Sequence, residues 1–139
     1  MAITIDASAV AAWLHPDEAS AAADDLYARA LHGNESFQAP ALFAWETGNL
    51  LNMARRRGRI TVAQAHSALR LLARAKVALE IGPELARVEA TIELARRNEL
   101  TVYDASYLEQ ALRTGAQLAT KDMQLRRCAL KAGVPCLDL

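Results

Sequence analysis

Apolar positions along this chain alternate between short continuous runs and longer stretches in which they recur every three or four residues. That alternation predicts strands separated by helices. Ala2 to Ile5 reads as a first strand running into Asp6, and Ser8 to Leu14 as a short helix. Pro16 suits a first helical turn, which predicts a helix from there to about His32, stopped by Gly33. Ser36 to Ala39 is a second strand, Pro40 opens a helix ending near Arg57, and Thr61 caps the next helix, through Lys76. Val77 to Ile81 has a strand's character before Gly82-Pro83. From Glu84 to Arg97, Leu85, Val88, Ile92 and Ala95 keep helical spacing with charge on the other face. A helix from about Tyr103 to Arg113 closes at Gly115, followed by a strand at Gln117 to Ala119, a helix from Lys121 to Ala132 and a last strand at Val134 to Leu137. Strands joined through helices imply right-handed crossovers and a short, mostly parallel sheet covered on both faces. The expected fold is a three-layer α/β/α sandwich.

Composition agrees. The 139 residues suit one domain, residues 1–139, and 30 Ala with 20 Leu favour helices, while 5% aromatic content argues against an all-β sandwich. Formal charge is zero, from 16 basic and 16 acidic residues, but its distribution is uneven. Between Thr47 and Leu79 there is no acid, while Arg55, Arg56, Arg57, Arg59, Arg70, Arg74 and Lys76 contribute seven positive charges. The remaining nine basic residues face all 16 acids, so the rest of the chain is net −7. Two cysteines, Cys128 and Cys136, are too few for a secreted disulfide framework and are expected as free thiols. His15, His32 and His66 are scattered, and no Cys/His cluster has zinc spacing. No apolar run reaches membrane-spanning length, and the start of the chain lacks a basic leader, so a cytoplasmic protein without a membrane partner is expected.

In α/β folds, sites form at the carboxyl ends of strands, where strand order reverses. Asp6 follows the first strand and Asp122 lies just past the fourth. Each has an ordinary use: Asp6 as a helix cap, Asp122 for the dipole of the last helix with Thr120 as N-cap. Glu46 stands in the apolar stripe of its helix, with Leu42, Phe43, Leu50 and Met53 around it, and Asn49 is a second polar intruder one turn on. A partner arginine or an edge position would account for it. Asp104 shares a face with Tyr107, Leu108 and Ala111, and Thr101 to Asp104 also reads as a capping-box variant.

Four carboxylates gathered at one rim would raise one another's pKa. Hard divalent cations such as Mg²⁺ or Mn²⁺ resolve that conflict through oxygen ligation, and such a centre can hydrolyse a phosphodiester. The acid-free run supplies cations for a polyanion's phosphates, although Arg55, Arg56 and Arg57 also fit a solvated helix end.

Ile-Asp-Ala-Ser-Ala (5–9), Trp-Glu-Thr-Gly-Asn-Leu-Leu (45–51), Tyr-Asp-Ala-Ser-Tyr (103–107) and Leu-Ala-Thr-Lys-Asp (118–122) together resemble PIN-domain ribonucleases, and more narrowly the VapC toxins of type II toxin–antitoxin pairs. The resemblance runs from Asp6 to Gly-Val-Pro at 133–135, with no acidic position missing. It implies an α/β/α sandwich, usually dimerised, and an endoribonuclease dependent on Mg²⁺ or Mn²⁺. Asp6, Glu46, Asp104 and Asp122 would be its metal-binding carboxylates, with Thr120 and Asn49 in support. It further implies cleavage of transfer or ribosomal RNA by metal-activated water, arrest of translation, and inhibition by a VapB antitoxin. The Arg55, Arg56, Arg57 and Arg59 cluster is the expected RNA phosphate contact.

Other readings are weaker. A haloacid-dehalogenase-like phosphatase has a second Asp where Ser8 stands, and a response-regulator receiver needs an acidic pair at the start. A PIN fold kept as a non-catalytic RNA- or partner-binding adaptor is the alternative function, although such members usually lose acids and this chain keeps all four.

Overall fold

A computed structural model describes residues 1–33 and 35–139. Its frame is four short strands: β1 (Ala2–Ile5), β2 (Ser36–Ala39), β3 (Ala78–Leu79) and β4 (Gln117–Ala119). They lie in the order β3-β2-β1-β4, and every pairing is parallel. Among the described residues, seven α-helices connect and follow them: α1 (Ala7–Leu14), α2 (Ala21–His32), α3 (Leu42–Arg56), α4 (Val62–Arg74), α5 (Leu85–Asn98), α6 (Val102–Thr114) and α7 (Met123–Lys131).

The layers follow from handedness. From β1 to β3 the chain steps repeatedly in one direction, so right-handed crossovers put α1 to α4 on one face. It then returns past β1 to β4, which puts α5 and α6 on the other. The packing agrees, with α1 against α2, α3 and α4, and α6 against α5, α7 and β1. The expected three-layer sandwich is the observed one.

The central strands are apolar on both sides, as buried parallel strands must be. Ile3, Ile5, Phe37, Ala39, Leu118 and Ala119 are all buried. Thr4 is a fully buried exception, and Gln38 a half-buried one. The Thr4 hydroxyl donates to Gln110 Oε1 at 3.0 Å and accepts from Gln38 Nε2 at 3.1 Å, so this polar group is satisfied beneath α6. Trp13 and Tyr27 meet edge to face at 5.2 Å, and the Trp13 indole donates to the Ala23 carbonyl, pinning α1 to α2.

Four expectations change. The helix expected from Pro16 to His32 is broken: Pro16–Glu18 form a 3₁₀ turn, Ala19 is extended, and Ser20 caps α2 by accepting from Ala23 N. A serine cap inside the span outweighs the apolar spacing. The strand expected at Val77–Ile81 shortens to Ala78–Leu79, because Lys76 takes a left-handed φ of 52° just before it. The last strand, Val134–Leu137, is reduced to a single parallel bridge between Leu118 and Cys136, where Pro135 has no N–H to give. Finally, α5 is rotated from its expected stripe. Thr91 and Ala95 are its buried residues, while Leu85 and Ile92 face outward. Thr91 can be buried because its hydroxyl donates to the Arg87 carbonyl at 2.7 Å. Among the described residues no helix is long and apolar enough to cross a membrane.

Candidate active site

The strand order reverses between β1 and β4, and the carboxyl ends of those strands open the crevice where α/β folds bind ligands. Asp6 is the first residue beyond β1. Its N–H continues the ladder to the Ala119 carbonyl of β4, and its carboxylate caps α1 by accepting from Ala9 N at 3.0 Å. The capping role is therefore real, yet it leaves most of the group for other partners. Oδ1 also accepts from Ser8 Oγ at 2.6 Å, and Oδ2 accepts from Thr120 Oγ1 at 2.6 Å. Thr120 and Ser8 are fixed in turn, accepting from the backbone N–H groups of Asp122 and Lys121. The result is a buried carboxylate with both oxygens oriented.

Asp122 is the N-cap of α7, its Oδ1 accepting from Leu125 N at 2.9 Å, so Thr120 does not cap that helix. Glu46, half-buried on α3, has no arginine partner among the described residues. It accepts a 2.5 Å hydrogen bond from Tyr107 Oη of α6. Asp104 sits in the first turn of α6, where Thr101 caps its N–H at 3.0 Å. Together Asp6, Ser8, Glu46, Asn49, Asp104, Tyr107 and Asp122 line one pocket of about 280 Å³. All four acids singled out by sequence, and Asn49, thus reach a single place.

Burial sets the electrostatics. It pushes Asp6 from its ordinary 3.8 up to about 6, against the pull of the Ser8, Thr120 and Ala9 hydrogen bonds. Burial also raises Glu46, opposed by the Tyr107 hydroxyl and assisted by the charge of Asp104. Asp104 is raised by burial and then by Asp122. Tyr107, one helical turn from Asp104, is raised by burial and by its bond to Glu46, so it remains a donor. Among the described residues, none of the four acids takes part in an ion pair.

The basic cluster lies elsewhere. Arg55 is nine residues beyond Glu46 on the same helix, about 13.5 Å along its axis. Arg55 bonds Asn52, and Arg59 pairs with Asp17 at 2.8 Å. Arg55, Arg56 and Arg57 are exposed at the end of α3, outside the acidic pocket.

Two site residues escaped the sequence reading of the chemistry. Ser8 had a signal, a hydroxyl two residues after Asp6. Tyr107 had a fainter one, a hydroxyl on the face that carries Asp104.

The donor set suits a hard divalent cation: four carboxylates without counter-charge, three of them with raised pKa, around a pocket roomy enough to keep waters. Among the described residues no group of three or more such side chains is already arranged to hold an ion. Closing the set would take side-chain movement, and the exposure of the Glu46 and Asp104 edge leaves room for it.

This fold and this acidic switch-point pocket define a class. Residues 3–131 match the PIN domain, and the chain belongs to that family. It is 33% identical to Ribonuclease VapC3 of Pyrobaculum aerophilum over 125 residues, which cover 90% of this chain and 92% of the relative. The crystal structure of PAE2754 from Pyrobaculum aerophilum superposes with a TM-score of 0.70 at 26% identity, covering 98% of this chain and 92% of that one.

Proposed function

We propose that this chain is a metal-dependent, site-specific endoribonuclease, acting as the toxin of a toxin–antitoxin pair. The observation that carries the proposal is the convergence of four carboxylates without an ion-pair partner on one pocket at the switch point. The similarity to a ribonuclease across 90% of the chain supports it.

Asp6, Glu46, Asp104 and Asp122 would hold Mg²⁺ or Mn²⁺. The ion, when bound, supplies Lewis acidity toward the phosphodiester and water of lowered pKa. The chain's own contribution is positional. Ser8 and Thr120 hold both oxygens of Asp6, the Tyr107 hydroxyl holds one oxygen of Glu46, and Thr101 fixes the turn that carries Asp104. Asn49, one turn after Glu46, offers an amide to the substrate or its water. Arg55, Arg56 and Arg57 would hold phosphates of a structured RNA, transfer or ribosomal, away from the scissile bond. Arg59 serves that role less, being tied to Asp17. Cleavage would arrest translation in the cytoplasm. A VapB-like antitoxin would cover the acidic pocket, and the toxin would act as a homodimer.

The test is cleavage of purified total RNA by the chain with Mg²⁺ or Mn²⁺, with EDTA, and by Asp6→Asn prepared identically. Discrete fragments that require both metal and Asp6 support the proposal. Equal outcomes for wild type and Asp6→Asn overturn it and favour the adaptor reading.

A further inference from the structure

Of the seven aromatic residues, five are buried or half-buried inside the fold. The two exposed ones are Trp45, 81% exposed, and Tyr103, 64% exposed. Each directly precedes a pocket acid, Glu46 and Asp104 respectively. We propose that Trp45 and Tyr103 are the stacking platforms that position the unpaired bases flanking the scissile phosphate. This inference rests on the ribonuclease reading above.

Their placement follows from helix geometry. The Tyr107–Glu46 hydrogen bond ties α3 to α6 across the pocket. Trp45 lies one turn before Asn49 on α3, and Tyr103 one turn before Tyr107 on α6, and both Asn49 and Tyr107 line the pocket. Residues four apart on a helix are surface neighbours. The two rings therefore stand on the two helices that flank the acids. Neither the Trp45 indole N–H nor the Tyr103 hydroxyl has a hydrogen-bond partner among the described residues, so nothing in the fold accounts for either ring.

The electrostatics of this rim favour stacking over phosphate contact. Four unpaired carboxylates repel a phosphate chain. Arg113 and Arg87, further along the same edge, are engaged by Glu80 and Glu109. Arg55 to Arg57 lie toward the far end of α3. Aromatic stacking needs no charge, and every base has a face to offer, provided that it is not already stacked in a helix. Duplex RNA hides those faces, whereas loops and single strands present them.

The experiment uses the Asp6→Asn chain in EDTA, which removes cleavage from the readout. The probes are a short single-stranded RNA and the same strand annealed to its complement. Trp13 is only 8% exposed, so acrylamide quenching reports Trp45. The expected result is ready quenching without RNA, protection by the single strand, and none by the duplex. Trp45→Ala and Tyr103→Ala should each weaken single-strand binding roughly tenfold or more. In the active chain they should raise KM more than they lower kcat, with Trp45→Phe largely restoring both. Equal binding by Trp45→Ala, equal protection by duplex, or no binding of either probe overturns the proposal. So does a Trp45 shielded without RNA in a concentration-dependent way, which would mean that a second copy covers it. If the wild type cuts no RNA while Trp45-dependent binding persists, the nuclease reading fails and only the stacking of unpaired bases on Trp45 stands, with no scissile phosphate beside it.

Discussion

One helix, α6, contributes to two charge clusters that differ in kind. Near its C-terminal end, Arg113 donates to Glu109 at 2.8 Å and to both oxygens of Glu80 at 2.8 and 3.0 Å, and Arg87 reaches Glu80 at 3.4 Å. Hydrogen bonding to Glu109 raises Arg113 above its already high range, so the charged state is the favoured one. Near its N-terminal end, Asp104 and the Tyr107-bonded Glu46 share a pocket with Asp6 and Asp122, and none of the four forms an ion pair among the described residues. There the pKa values are raised too, but for a carboxyl that favours the neutral state, and burial pushes three of them toward it. A cluster that carries its own counter-ions is complete within the fold. A cluster that makes its own charges unfavourable awaits something positive from outside.

The largest consequence concerns pH. Asp6 binds its proton more tightly in the folded chain than in the unfolded one, with a pKa near 6 against 3.8. Between those values the folded state holds more protons, so the metal-free protein loses stability as pH rises from about 4 to above 6. The full shift corresponds to roughly 3 kcal/mol. Glu46 and Asp104 shift in the same direction and add to the fall. Asp6→Asn in EDTA should therefore melt above the wild type at pH 8, with the advantage vanishing near pH 4. Mg²⁺ should close the gap from the wild-type side, because binding to the folded state alone stabilises it. An Asp6→Asn chain with the wild type's pH profile would erase the distinction between the two clusters.

What could be read from the chain beforehand follows the same physical division. Strand and helix alternation was legible because burial imposes periodicity, and the parallel sheet emerged with its layers in place. The failures fall where local chemistry overrides periodicity: the Ser20 cap that splits a helix, the left-handed Lys76 that shortens β3, and the Thr91 hydroxyl that lets α5 turn Leu85 and Ile92 outward. The acids were legible because a carboxylate in an apolar stripe is conspicuous. Of their supporting hydroxyls Thr120 was named through the family resemblance, while Ser8 and Tyr107 were not, since a tyrosine or serine on a core-facing position looks like core. Pairings distant in sequence, such as Thr4 with Gln110 or Arg59 with Asp17, leave no periodic trace at all.

A middle-sized effect sharpens the comparison at the hydroxyls. Tyr107 is 1% exposed, and its ring is part of the core, so Tyr107→Phe keeps the packing and removes only the bond to Glu46. Thr120→Val removes the donor to Asp6 Oδ2 and, with it, the acceptor of the Asp122 N–H. Groups that orient metal ligands are typically worth about 10- to 100-fold in metal affinity. Titration with Mn²⁺ should show each variant weakened in that range while its circular dichroism matches the wild type. A folded Tyr107→Phe that binds Mn²⁺ as tightly as the wild type would show that Glu46 needs no holding, or that it is not a ligand.

The smallest effect belongs to the self-neutralised cluster. Arg113→Gln removes the cation shared by Glu80 and Glu109, leaving Glu80 with Arg87 and Glu109 without an ion pair among the described residues. The arginine is about one-third exposed, so water and salt already screen the network, and the expected loss is about 1 kcal/mol. That is a fall of roughly 3–5 °C in melting temperature for a chain of this size. High salt should lower the wild type toward the variant and leave the variant itself nearly unchanged. RNA cleavage should stay within about twofold of wild type, because Arg113 contacts none of the pocket acids and the N-terminal turn of α6 that carries Asp104 is capped separately by Thr101. A cleavage defect much larger than the stability loss would mean that the two clusters communicate along α6, and that the helix, rather than the pocket alone, is the functional unit.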